Sequence, residues 1–129
     1  MKPRSVLVIV PARDEAALIG RCLTALETAR DRAIAAHPGL TVRTIVVADR
    51  CLDGTASIAG GFEGVEVVEI DAATVGTARQ AGADYALSTE SPRRAWLANT
   101  DADSEVPASW ILDQVTLASA GADVVVGTV

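Results

Sequence analysis

The hydrophobic positions of this chain switch repeatedly between two periods. Val6-Leu7-Val8-Ile9-Val10 is a continuous apolar run rich in β-branched residues and stopped by Pro11, which predicts a strand buried on both faces. From Asp14 the spacing changes: Leu18, Cys22, Leu26 and Ala29 recur at three- or four-residue intervals, the repeat of a helix with one apolar stripe. Asp14 and Glu15 stand where acids favour a helix N-terminus, and His37-Pro38-Gly39 marks its end.

The alternation continues to the end of the chain. Residues 42–48 predict a second strand, Asp53-Gly54-Thr55 opens a short second helix closed by Gly60-Gly61, and residues 65–70 predict a third strand. Residues 74–87 read as an Ala-rich third helix, followed by a loop over 88–94. Residues 95–98 then form a fourth strand. Pro107 suits the first turn of a helix running to about Ala120, and residues 123–128 predict a fifth strand. This βαβαβαβαβ order implies an α/β class: a Rossmann-like open sheet of mainly parallel strands, right-handed crossovers and helices on both faces. The first and fourth strands are expected side by side, because a switch point there brings both following loops to one ligand.

Composition agrees with this reading and narrows the partners. Half of the residues are apolar but only 3% are aromatic, which suits Ala-rich helices on a Val/Ile/Leu sheet, and 129 residues make a single domain, 1–129. Seventeen acidic against eleven basic side chains give a net charge of −6, opposite to what a nucleic-acid partner requires. An acidic protein that binds an anionic ligand needs local neutralisation, and a divalent cation is the usual device. The apolar run after Met1-Lys2-Pro3-Arg4 is only five residues, too short for a signal peptide or a transmembrane segment. A cytoplasmic chain is expected. Cys22 and Cys51 lack a redox or zinc spacing and are expected as reduced thiols.

Open parallel sheets bind ligands beyond the carboxyl ends of their strands. The segments that fall there are Pro11-Ala12-Arg13-Asp14-Glu15, Asp49-Arg50 and Asn99-Thr100-Asp101-Ala102-Asp103. Neither Gly-x-Gly-x-x-Gly nor a Walker-type loop is present, and the single histidine, His37, sits at a helix end without a nucleophile. What remains is the carboxylate pair Asp101 and Asp103, oxygen ligands suited to a hard cation that keeps positions open for substrate phosphates. Two acids in a loop also serve as a polar turn or a helix N-terminal charge. Similar alternatives stand for Glu15 as a helix N-terminal acid, Arg79 as a solvated helix charge and Asp49 as a turn residue. Asp53 is read as a helix cap, and Trp96 and Trp110 as packing residues.

Taken in order, Pro11-Ala12-Arg13-Asp14-Glu15, Val46-Val47-Ala48-Asp49 with Asp53-Gly54-Thr55, Val75-Gly76-Thr77-Ala78-Arg79, and Asn99-Thr100-Asp101-Ala102-Asp103 resemble the motifs of family 2 inverting glycosyltransferases of the A-type fold. The likeness spans nearly the whole chain. It implies that Pro11, Ala12, Arg13 and Glu15 line the nucleoside, that Asp49 meets the nucleobase edge and that Arg79 and Asp101 lie near the nucleotide. Asp101 and Asp103 match the metal-binding triplet, for Mg2+ or Mn2+, with Asp103 the more direct ligand. The chain departs from the family where Ala48-Asp49 replaces an Asp-Asp pair and Arg50-Cys51-Leu52 replaces a Gly-Ser-containing turn.

The activity so implied is transfer of a sugar from a nucleotide-diphosphate donor, UDP-sugar favoured, with inversion. The family's general base and acceptor pocket lie beyond the matched region, so no catalytic residue is assigned, the acceptor-binding portion is expected to be absent, and truncation is favoured. Two rival readings differ in class. A non-catalytic nucleotide-sugar-binding module completed by a partner would also lack the acceptor half. A nucleotidyltransferase would carry a Gly-rich basic loop after the first strand, where this chain has no glycine.

Overall fold

The computed structural model describes residues 2–90 and 93–123. Within them the chain alternates β1 (Ser5–Ala12), α1 (Ile19–Ala36), β2 (Thr41–Asp49), α2 (Thr55–Gly60), β3 (Val65–Ile70), α3 (Val75–Ser88), β4 (Ala95–Asn99) and α4 (Trp110–Ser119). The four strands form one sheet in the order β3-β2-β1-β4, and every pairing is parallel. This is the Rossmann-like sheet expected from the alternating pattern, with β1 and β4 adjacent. The fifth strand expected over 123–128 falls almost wholly outside the described residues.

Strand alternation sends successive side chains to opposite faces, and each face has its own core. Val6, Val8, Val10 and Ala12 of β1 pack with Val46, Trp96 and Ala98 beneath α1, α2 and α4. Leu7 and Ile9 pack with Ile45 and Val47 beneath α3, through Ala78 and Ala86. Trp96 belongs to the first core, and its indole N–H is satisfied by the Gln114 side-chain oxygen at 2.8 Å. Gly82 lets α3 lie close: a Cβ there would stand 2.6 Å from Ile9 Cγ2 and 2.7 Å from Val47 Cγ2.

Two helices begin later than their sequence pattern suggests. α1 starts at Ile19 rather than Asp14, because the intervening residues are bonded to the loop after β2. α4 starts at Trp110, after a turn in which the Trp110 amide donates to the Pro107 carbonyl at 3.0 Å. α3 follows its pattern. Thr74 caps it by accepting from the Thr77 amide, as a β-region N-cap does.

The chain runs from β1 outward to β2 and β3, then crosses back to β4 on the other side of β1. The strand order therefore reverses between β1 and β4, which opens a crevice at their carboxyl ends. Register sets the depth of that rim: Ala12 lies beside Ala48, Asp49 beside Ile70, and Ile9 beside Asn99.

Candidate functional site

A crevice of about 440 Å³ occupies this rim and is lined by Pro11, Arg13, Glu15, Asp49, Ala73, Val75, Ala78, Arg79, Asp101, Ala102 and Asp103. These residues come from separate stretches of sequence, carried to one edge because parallel strands all end on the same side. Every residue singled out for nucleotide or metal lies there except Ala12. The Ala12 side chain is buried in the α1 core, and only its carbonyl is engaged toward the rim, accepting from Cys51 Sγ at 3.5 Å. The period of two in β1 carries this signal, since Val6, Val8, Val10 and Ala12 must share a face. The residues that chemistry did not flag are Ala73, Val75, Ala78 and Ala102, small or apolar walls with no charge to mark them.

The loop after β1 is stitched to the loop after β2. The Asp14 carboxylate accepts the Leu52 amide at 2.7 Å, the Glu15 amide donates to Thr55 Oγ1 at 2.9 Å, and the Ala16 amide donates to Asp53 Oδ2 at 3.1 Å. Asp53 Oδ1 also accepts the Thr55 amide at 3.0 Å and the Thr55 hydroxyl. These bonds hold the Asp53 carboxyl below the usual carboxylate range, the Thr55 side chain first among them. Asp53 is thus a structural anchor. The Glu15 carbonyl accepts the Ile19 amide at 2.8 Å, so the residue stands at the entry to α1, and it also lines the crevice.

Asp49 is almost fully buried at 4% exposure, and its Oδ1 accepts the Ala72 amide at 2.8 Å and the Ala73 amide at 3.4 Å. This ties the end of β2 to the turn before α3. Positive φ angles occur at Asp14 (51°), Arg50 (50°) and Ala73 (67°), each just beyond the carboxyl end of a different strand. Backbone of this kind persists only where surrounding bonds hold it, and of the three Ala73 is part of the crevice lining.

At the other wall Asp101 follows β4. Arg79, from α3, donates to Asp101 Oδ1 at 3.0 Å across the opening. Below them Cys22 Sγ donates to the Asp101 carbonyl at 3.5 Å. Burial pushes this thiol up to about 11, reinforced by the charges of Asp103, Asp101 and Glu105. The lining gathers four carboxylates, Glu15, Asp49, Asp101 and Asp103, against two guanidiniums, Arg13 and Arg79. A bare diphosphate would meet net repulsion there, whereas a divalent cation would turn the carboxylates into ligands.

The donor set suits such an ion. Asp101 and Asp103 both line the crevice and supply hard oxygen atoms of the kind Mg2+ accepts. A second set, Asp14, Cys51 and Asp53, has ligand atoms within 4.8 Å of one another and could hold a metal ion. Both of its carboxylates already accept backbone amides that fasten the two loops.

Comparison with known proteins matches residues 7–129 to the family described as Glycosyl transferase family 2. No curated protein sequence matches the chain. Among solved structures it is similar to the crystal structure of S. aureus TarS 1–349, with a TM-score of 0.69 at 17% identity over 90% of this chain and 32% of that one. At that identity the likeness concerns the fold. The chain thus spans about a third of the length of the structure it resembles.

Proposed function

Because the chain belongs to glycosyl transferase family 2, we propose that residues 1–129 form the donor-binding unit of an inverting glycosyltransferase that takes a nucleotide-diphosphate sugar, UDP-sugar favoured. The observation that carries this reading is the crevice itself, where Arg13, Glu15, Asp49, Arg79, Asp101 and Asp103 meet from separate segments. Asp49 would present its second carboxylate oxygen to the imide N–H of the base. Arg13 and Arg79 supply cationic donors for phosphate oxygens. Asp101 and Asp103 would hold Mg2+ or Mn2+, and a bound cation would stabilise the charge that grows on the departing diphosphate.

Transfer also requires a base within hydrogen-bond reach of the acceptor hydroxyl. In this proposal the base and acceptor surface come from outside the 129 residues, consistent with the chain covering 32% of the TarS structure. Among the described residues no helix is long and apolar enough to cross a membrane. In this proposal, contact with the inner membrane surface comes through the acceptor.

Calorimetric titration of UDP into wild type and Asp103→Ala, each with Mn2+ and with chelator, tests the reading. Wild type should bind more tightly with Mn2+, and Asp103→Ala should lose that difference while keeping its fold. Equal wild-type affinity with Mn2+ and with chelator would reject the metal bridge and return the triplet to a polar turn.

A further inference from the structure

Arg79 and Asp101 form the one ion pair that spans the crevice among the described residues. Their side chains are 44% and 58% exposed, so solvent competes for both partners and the pair is easily exchanged. Its position gives that exchange a direction. The carboxylate is one of the two offered to a cation, and the guanidinium is one of the two offered to phosphate. A divalent cation would compete with Arg79 for Asp101, and a diphosphate would compete with Asp101 for Arg79. The planar guanidinium fork suits phosphate oxygens at least as well as a single carboxylate oxygen.

We propose that Arg79 is an exchangeable counter-ion: it neutralises Asp101 while the crevice holds no ligand, and it turns to the phosphate oxygens when cation and nucleoside diphosphate bind together. The inference rests on the metal-bridged reading of the site and adds a partner exchange to it. Cation and nucleotide are then coupled through one side chain, since each releases the residue that the other needs. Linkage makes the effect reciprocal. A cation arriving alone must work against the guanidinium, so the site selects the cation and diphosphate together over the free ion.

The consequence is a pair of effects with opposite signs, which an ion pair that served only to hold the fold would not give. Arg79→Gln should tighten Mn2+ binding in the absence of nucleotide by about three- to tenfold, by removing a nearby positive charge. The same variant should weaken UDP binding at saturating Mn2+ by roughly tenfold or more, through loss of a charge-assisted bond. Arg79→Lys should keep Mn2+ affinity near wild type, because its charge remains, yet still lose UDP affinity, because the fork is gone.

The experiment measures Mn2+ alone by electron paramagnetic resonance and UDP by calorimetry on wild type, Arg79→Gln, Arg79→Lys and Asp103→Ala of the full 129-residue chain, with circular dichroism as the folding control. Opposite shifts for Arg79→Gln support the exchange. If Asp103→Ala loses Mn2+ while Arg79→Gln leaves Mn2+ affinity unchanged or weaker, the exchange is overturned and the metal site stands. If Mn2+ binding is absent, or is indifferent to Asp103→Ala, the metal reading and the exchange both fall.

Discussion

Asp49 Oδ1 accepts the Ala72 backbone amide at 2.8 Å, so the carboxylate assigned to the nucleobase also fastens β2 to the turn that starts α3. The two duties separate by substitution. In Asp49→Asn the amide oxygen can still take the Ala72 and Ala73 amides, but the other position becomes a donor and no longer complements a uracil imide. Stability should stay within about 1 kcal/mol of wild type, and UDP affinity should fall by about 1–3 kcal/mol. Asp49→Ala should lose both, leaving two amides without their acceptor. Denaturant melts and titrations with UDP and ADP measure this. Equal wild-type affinity for the two nucleotides would remove Asp49 from base recognition.

Gly82 is where α3 meets the sheet, and Gly82→Ala should push the helix away. The added Cβ would meet Ile9 Cγ2 at 2.6 Å and Val47 Cγ2 at 2.7 Å, two side chains fixed in the core. Overpacking of this kind costs about 1–3 kcal/mol. The better helix propensity of alanine returns about 1 kcal/mol at most. The melting temperature should therefore drop, and UDP affinity should drop with it, because Arg79 rides one turn earlier on the same helix. An unchanged melting temperature would show that the helix seat has room that the contacts do not suggest.

Much of the fold was legible because its signals are local. The apolar run of β1, the switch to helical spacing and the strict alternation sufficed for a parallel sheet with β1 beside β4. The start of α1 was not legible, because the partners that hold residues 14–16 out of the helix are Leu52, Thr55 and Asp53, some forty positions away. Arg13, Glu15, Asp49, Asp101 and Asp103 were legible as strand-end residues with chemistry, whereas Arg79, inside α3, was marked only by the family resemblance. Asp49's bonds to Ala72 and Ala73 were not, since they depend on how β3 lies against β2. Ala73, Val75, Ala78 and Ala102 carry no chemical mark, and only the folded chain shows them as walls.

Ala73 sits at φ 67°, a left-handed backbone that costs an alanine about 1 kcal/mol. Ala73→Gly should recover most of that and raise the denaturant midpoint without altering the slope, since the surface exposed on unfolding hardly changes. Glycine also loosens the unfolded chain, which opposes the gain. A midpoint lower than wild type would show that the unfolded-state effect wins here, and that the Asp49 bonds alone hold the turn.

Cys22 links the core to the acidic loop and should give the protein an alkaline instability. Its thiol is 1% exposed and pushed up from 9.0 to about 11, first by burial and then by Asp103, Asp101 and Glu105. A folded-state value above the unfolded one means that the folded chain keeps a proton the unfolded chain gives up. The contribution is intact below pH 9 and is lost progressively as pH rises toward 11. By pH 10.5 the loss from this group should reach about 2 kcal/mol. Tyr85, raised by its hydrogen bond to Glu66, titrates in the same alkaline region, so wild type must be compared with a variant that keeps Tyr85. Cys22→Ala meets that need, because its cavity cost lowers stability equally at both ends of the range. Urea unfolding of both proteins at pH 8 and pH 10.5 should show wild type losing about 2 kcal/mol more than the variant over that interval. At pH 8 a thiol reagent should label the half-buried Cys51 well before Cys22. Equal pH dependence in the two proteins, or rapid labelling of both thiols, would mean that the acidic loop opens far enough to hydrate Cys22.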